Sequence, residues 1–338
     1  MLGGPPFDKM NLSKGGFLME TKLNYKRTFL IGLAFLSICS FWQMYDNIIP
    51  LILQNTYHLG ETMTGAVMAL DNVLAIFLLP VFGTLSDKVH TKLGRRMPFI
   101  VSGTILAVIF MMLLPMIDNA EKARWGTVES FSNQVIFLAV LFFTLVSMGL
   151  YRSPAVALMP DVTPNHLRSR ANAVINLMGA VGGVYALIMI KVLVGKGETP
   201  DYLPLFASIA AVMAIAVGIL VMTIRENKLR EEVEKAEAAI AETIEEKAMA
   251  EGVEAVGEIE AVGDTGAVKA SDGKKQTGKT EGTKGMPKEV KRSMYFMLAS
   301  IFLWFTAYNA VTTAFSRYTK VVWKMEGGSF ANCLMVAT

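Results

Sequence analysis

Charge is what this sequence has least of for its size. Asp, Glu, Lys and Arg make up 18% of its 338 residues, against about 25% in soluble domains, too little to coat a water-facing surface. There are two cysteines, Cys39 and Cys333, both inside apolar runs, which excludes a disulfide-stapled secreted scaffold. The three histidines (His58, His90, His166) lie in polar connecting stretches, where solvated side chains are the plain reading and pH sensing at His90 and His166 the alternative. No HExxH, P-loop, nucleophile–base pair or metal-ligand spacing occurs, so the sequence nominates no catalytic residue, no metal site and no enzyme. A net charge of +3 is no footprint for nucleic acid. What remains is 53% hydrophobic, with a mean hydropathy of +0.43, and such a chain belongs in a bilayer.

A helix needs about 20 mostly apolar residues to cross the hydrocarbon core. Seven segments qualify: Phe29–Leu53, Met63–Leu85, Met97–Ile117, Asn133–Met159, Ala171–Val194, Tyr202–Ile224 and Ser293–Arg317. An eighth begins near Ser329 and reaches only Thr338. The first 28 residues are polar and the apolar run after them is too long for a signal h-region, so no secretory signal is expected. Met10 and Met19 both precede that run, which leaves Met1, Met10 and Met19 open as starts. The expected fold is all-α and polytopic. Its domains are a tail over 1–28, a six-helix bundle over 29–224, a central loop over 225–292, and spans seven and eight over 293–338.

Orientation is read from basic residues. Lys9, Lys14, Lys22, Lys26 and Arg27 precede the first span; Lys88, Lys92, Arg95 and Arg96 come after the second; Arg168 and Arg170 after the fourth. The other side has only Lys122, Arg124 and Lys196. The N-terminus is therefore expected in the cytoplasm of a cell whose plasma or inner membrane holds the chain. Within the central loop, Glu231–Lys247 is Glu/Ala-rich with Lys interspersed, a composition for a solvated helix. Gly252–Gly285 is Gly/Lys/Thr-rich and too polar to bury a core, so it is expected to be disordered.

Two stretches carry more than topology. After the second span come Gly83-Thr-Leu-Ser-Asp87-Lys88 and then Gly94-Arg95-Arg96-Met97-Pro98-Phe99. Gly83 permits close helix approach. Asp87 stands at a helix end among Lys88, Arg95 and Arg96, able to accept charge-assisted hydrogen bonds. Pro98 suits a first helical turn, where its missing N–H costs nothing. The second stretch is Tyr151-Arg152-Ser153-Pro154-Ala-Val-Ala-Leu158-Met-Pro160-Asp161, then Arg168-Ser-Arg170-Ala171-Asn172-Ala173.

The first stretch resembles the second-to-third loop signature of the major facilitator superfamily. Its Ser-Asp-(x)6-Gly-Arg-Arg-x-Pro-Phe form, with the second stretch, is similar to the branch of sucrose and glycoside–pentoside–hexuronide cation symporters. The likeness runs from about Phe29 to Arg317. It implies twelve helices in two six-helix halves rocking around a central site. By that measure this sequence is C-terminally incomplete, lacking helices 8–12 of its own second half as partners. It further implies that Gly83, Asp87, Lys88, Gly94, Arg95 and Arg96 form a cytoplasmic conformational gate, to which Asp161 with Arg168 adds.

Ionisable groups inside a span are functional candidates, because hydrocarbon costs them about 2.5–3.5 kcal/mol or more. Asp46 lies about 25 Å along span one and Asp71 about 15 Å into span two from the other side, so they reach similar depths. Asp46 as a wetted helix-end residue is the competing reading. Arg152 lies about 12 Å inside the cytoplasmic end of span four, where it can pair with a carboxylate, orient a substrate or snorkel. Lys191, near the outer end of span five, reads as snorkelling.

Trp42 shares a helical face with Asp46, with Tyr45 beside them. An aromatic plate beside a carboxylate suits a sugar, whose C–H face packs on the ring while its hydroxyls donate to the acid; interface anchoring is the alternative. Span seven offers Trp304, Tyr308, Asn309 and Thr312. Asn172, Asn176, Gly179 and Gly183 form one stripe of span five, with the glycines as a packing face and Asn176 toward the cavity. Sodium-coupled members of the resembled branch carry Asp one and five residues before the Pro-x-x-Gly step. Here that step is Pro80-Val-Phe-Gly83 and those positions are Leu79 and Ala75, so the resemblance favours H⁺ as coupling ion, with no other cofactor. The function expected is proton-coupled symport of a sugar or glycoside in contact with lipid. Export of drugs or metabolites on the same fold, and a non-transporting scaffold or degenerate half-carrier, are the alternatives.

Overall fold

The computed structural model describes residues 23–123, 131–195, 200–250, 288–325 and 328–337. Nine α-helices appear among them: α1 Tyr25–Asn55, α2 Glu61–Lys88, α3 Met97–Ala123, α4 Phe131–Asp161, α5 Arg168–Leu193, α6 Leu203–Thr223, α7 Glu226–Ala250, α8 Lys288–Val321 and α9 Ala331–Ala337. All of α1–α6 and α8 are long and apolar enough to cross a membrane, and no strand occurs among the described residues. The seven spans read from the sequence fall within a residue or so of these helices or inside them. Most helices run a turn further into polar residues, because the hydrophobic run ends at the bilayer edge while backbone hydrogen bonding does not. The short α9 stands where the eighth span begins, and Gly252–Gly285 lies outside the described residues.

Local chemistry sets the helix ends. The side chain of Asn24 accepts from the Arg27 N–H at 3.2 Å and so caps α1. A proline in the first turn opens α6. Pro50, Pro80, Pro115, Pro154 and Pro160 all sit inside helices, tolerated in spanning helices because neighbouring helices and hydroxyl side chains make up for interrupted backbone bonding. Beside Pro80, Ser153 on α4 donates to the Leu79 carbonyl of α2 at 2.8 Å.

The core lies among α1, α3, α4, α5 and α6. α1 and α5 pack closest: a Cβ on Gly182 would collide with the Leu36 carbonyl, one on Gly179 would sit 3.0 Å from Cys39 Sγ, and Ser40 Oγ donates to the Gly182 carbonyl at 2.9 Å. Of the glycine stripe expected for packing, Gly179 takes this part and Gly182, not singled out from the sequence, makes the tightest approach. Gly103 on α3 admits the Tyr151 backbone of α4, whose nitrogen is 2.7 Å from where a Cβ would stand. The fully buried Tyr151 then ties α4 to α1, its hydroxyl 2.6 Å from Ser37 Oγ and donating to the Ala34 carbonyl at 3.0 Å.

α2 and α8 differ. Both bury almost none of their apolar side chains against protein, and Ile76, Phe77 and Val81 on α2 and Phe302, Leu303 and Trp304 on α8 stand open. α8 is pinned to the bundle by Arg317, which donates to Gln54 of α1 and pairs with Glu61 of α2 at 3.1 Å. A cavity of about 540 Å³ opens between these three helices, lined by Gln54, Glu61, Asn72, Arg317 and Tyr318 among others.

Candidate functional site

Charged side chains gather in three places. The first is the end of the bundle where α1 begins, called here the N-terminal face. The connection between α2 and α3 turns through Gly94, whose φ of 124° is open to glycine, and delivers Arg95 and Arg96 side by side to the start of α3. Arg96 is buried, with 5% of its surface exposed, and its planar fork is fully used. Nε donates to Asp161 Oδ2 at 2.9 Å, Nη2 pairs with Asp87 Oδ1 at 2.5 Å, and Nη1 donates to Ser86 Oγ at 2.5 Å and to the Gly83 carbonyl at 3.2 Å. Arg95 reaches the same Asp161 oxygen at 3.0 Å and Asp87 at 3.9 Å. Two arginines thus bridge the ends of α2 and α4. Lys88 is exposed and takes part in none of these ion pairs.

Arg168 does not join Asp161. It donates to the Pro160 carbonyl at 2.8 Å and the Thr163 carbonyl at 3.2 Å, closing the end of α4 in the way cations do at helix C-termini. The expected Asp161–Arg168 pairing is corrected: Arg95 and Arg96 already occupy the carboxylate.

The second place is the interior of the spanning region. Phe41, Trp42 and Tyr45 form a knot on α1, with Trp42 edge-on to both neighbours at 5.3 and 5.4 Å. The Arg152 guanidinium of α4 lies over the Trp42 ring, 5.5 Å from its centroid, so Arg152 does not snorkel. Asp71 on α2 lies within electrostatic reach of Arg152, and Asp46 within reach of the Asp71 charge. Asp71 accepts from Asn72 Nδ2 at 2.9 Å. Trp42 Nε1 and the Tyr45 hydroxyl are buried with no hydrogen-bond partner among the described residues, a state that costs about 1–3 kcal/mol per group. One patch therefore offers two unused donors, a cation on an aromatic plate and two carboxylates.

Asn176 on α5 is exposed. Tyr308 on α8 is 54% exposed and stacks on Trp304 at 5.9 Å. The side chain of Asn309 lies outside the described residues. Lys191 is exposed.

The third place is the opposite face, and the sequence reading passed over it. Asp118 is wholly buried on α3; Lys122 Nζ meets its Oδ2 at 2.5 Å, donates to the Pro200 carbonyl at 2.7 Å and lies over the Tyr202 ring at 4.7 Å. Asn133 donates to Glu121 at 2.5 Å and Asn119 to Asp201 at 2.7 Å. Burial, with the charges of Asp118 and then Glu121 adding to it, pushes the Tyr57 phenol above its ordinary range. The apolar run of span three stops at Ile117, where an acid follows, so this cluster falls outside the span that hydropathy predicts.

A family model described as the Major Facilitator Superfamily matches residues 31–337. The chain belongs to the Major Facilitator Superfamily. It is a multi-pass membrane protein of a transporter family, and the helical bundle is that of the family. Among curated proteins, it is similar to the sucrose transport protein SUT3 of Oryza sativa subsp. japonica, 26% identical over 137 residues, 38% of this chain and 27% of that one. It is similar to the sucrose transport protein SUC4 of Arabidopsis thaliana, 34% identical over 116 residues, 32% and 22% of the two chains. An uncharacterized symporter of Synechocystis sp. is 24% identical over 144 residues, 41% and 25%. The matched stretches span about a quarter of the length of these relatives.

One residue of the N-terminal face escaped sequence reasoning altogether. Glu226, the first residue of α7, is 1% exposed and accepts from the backbone N–H groups of Arg95, Arg96 and Met97 at 3.0 Å. The only local signal was an acid at a helix start; nothing in its spacing points to a loop some 130 residues earlier.

Proposed function

We propose that this member of the superfamily works in secondary active transport by alternating access, as a symporter of a sugar or glycoside with protons, its N-terminal face toward the cytoplasm. The observation that carries the reading is the Arg152 guanidinium over Trp42, with Asp71 in its electrostatic reach and Asp46 in reach of Asp71, inside the spanning region. A pyranose has an apolar C–H face for the indole and hydroxyls for the two orphaned donors and the carboxylates. The carboxylates also supply a proton carrier, and Arg152 a counter-cation for Asp71 when it is ionised. The names of the sucrose transporters and of the symporter among the relatives support a sugar as substrate and symport as the mode. The Asp87/Arg95/Arg96/Asp161 network would hold the cytoplasmic face shut while the site faces outward.

The test is uptake of radiolabelled sucrose and of aryl glycosides into proteoliposomes holding the protein, with and without an imposed inward proton gradient. Accumulation is expected only with the gradient, and Asp71→Asn is expected to abolish it. Full gradient-driven uptake by Asp71→Asn would remove Asp71 as carrier, and gradient-independent equilibration would remove proton coupling.

A further inference from the structure

The segment after α6 does not leave the bundle; it turns under the N-terminal face and is fastened there at several points. Glu226 fills the start of α3: Oε1 accepts from Arg95 N and Arg96 N, and Oε2 from Arg96 N and Met97 N, each at 3.0 Å. Gly94 leaves the room for it, since a Cβ there would collide with the Glu226 carboxylate. Asn227 donates to the carbonyls of Thr91 and Lys92 at 3.0 and 3.3 Å. Further along α7, Leu229 and Val233 are buried, Glu232 pairs with Arg27 of α1 at 3.4 Å, and Glu237 accepts from the Asn165 N–H before α5 at 3.2 Å.

We propose that α7 is a strap on this face and that Glu226 is a positioning residue, acting through Arg95 and Arg96. The first N–H groups of a helix have no partner within it and carry the positive end of its dipole. A buried carboxylate that takes the N–H of Met97 and those of Arg95 and Arg96 just before it fixes the backbone of the two arginines. That fixes in turn where their guanidinium groups stand against Asp87 and Asp161, which are 49% and 16% exposed at their side chains and hold no such anchor themselves. The network is closed when the strap is seated and loosens when Glu226 withdraws. The inference rests on the transport reading only in treating opening of this face as a working step.

The native Cys39 reports such opening. It lies on α1 about 21 Å from the start of the helix, half-buried against Gly179 and in electrostatic reach of Arg152, level with the interior cluster. In a Cys333→Ser background, the protein in sealed vesicles that expose the N-terminal face is treated with a membrane-impermeant maleimide, and amide hydrogen exchange is followed in parallel. Glu226→Ala is expected to strip protection from the amides of residues 95–97 while α1 and α6 stay protected, and to raise Cys39 labelling about tenfold, the equivalent of one charged hydrogen bond. Glu226→Gln, which keeps one oxygen in place, is expected to fall between, and carries the test with the same readouts if Glu226→Ala does not fold. Unchanged protection at 95–97 would overturn the contact. Lost protection with wild-type Cys39 labelling would overturn the coupling and leave a plain helix cap. No substrate enters this experiment, so failure of sugar uptake would sink the transport assignment and leave the strap standing.

Discussion

Arg96 Nε and Asp161 Oδ2 meet at 2.9 Å between the start of α3 and the end of α4, and the remaining guanidinium nitrogens of Arg96 are spent on α2. A single side chain therefore joins three helices at one face. Its substitution tests both the stability of the bundle and the closure of that face. Arg96→Ala takes from Asp161 and Asp87 the buried one of their two arginines and is expected to lower unfolding stability by about 3 kcal/mol, measured by denaturant unfolding in micelles. Arg96→Lys keeps the charge but has one nitrogen for four acceptors, and is expected to recover less than half of that loss.

Two glycines are expected to respond with opposite signs. Gly182→Ala drives a methyl into the Leu36 carbonyl at the α1/α5 contact and should destabilise by about 1–3 kcal/mol. Gly218→Ala on α6 meets no atom within 4 Å and should stabilise by about 0.5–1 kcal/mol through helix propensity. Thermal unfolding of the two variants side by side decides; equal shifts would mean that the contact at Gly182 is not the constraint.

At the interior cluster, shape is expected to matter as well as charge. Arg152→Lys retains a cation but loses the flat group that lies over Trp42, and Trp42→Ala removes the plate. Each is expected to raise the KM for sugar uptake about tenfold, for a contact worth about 1–2 kcal/mol, with a smaller effect on the maximal rate. A pure loss of rate at unchanged KM would place these residues in the conformational cycle instead.

Alkaline pH probes the opposite face. Burial and the nearby carboxylates raise the Tyr57 phenol in the folded protein, so its contribution to stability is intact below the ordinary tyrosine pKa of about 10 and is lost as pH rises beyond it, when the unfolded chain ionises first. Tyr57→Phe should flatten the fall of stability above pH 10 and leave the neutral range nearly unchanged. A wild-type slope in Tyr57→Phe would assign the alkaline sensitivity to other groups.

Helices were legible because seven apolar runs each exceed the length of a crossing and polar stretches separate them. Within the site, Trp42, Tyr45 and Asp46 were legible as neighbours from helical period alone, and Asp71 and Arg152 from their depth. Arg168 was misplaced because proximity in sequence to Asp161 says nothing about Arg95 and Arg96, which arrive from another helix and take the carboxylate. Asp118 escaped because a charge ends a hydropathy run whether or not a lysine one turn later neutralises it. Glu226 escaped because its partners are backbone amides, which every residue but proline has and no sequence pattern advertises.

α2 is the spanning helix of the first six that protein covers least, and it carries Asp71 in the interior and Asp87 at the N-terminal face. The two carboxylates are sixteen residues apart, about 24 Å along one axis, and each answers to an arginine on a better-buried helix: Arg152 on α4 and Arg96 at the head of α3. A helix that protein holds so lightly and that carries a carboxylate at each of two depths ties the interior cluster and the N-terminal face to one rigid element, so a shift of α2 along or about its axis would disturb both charge contacts together.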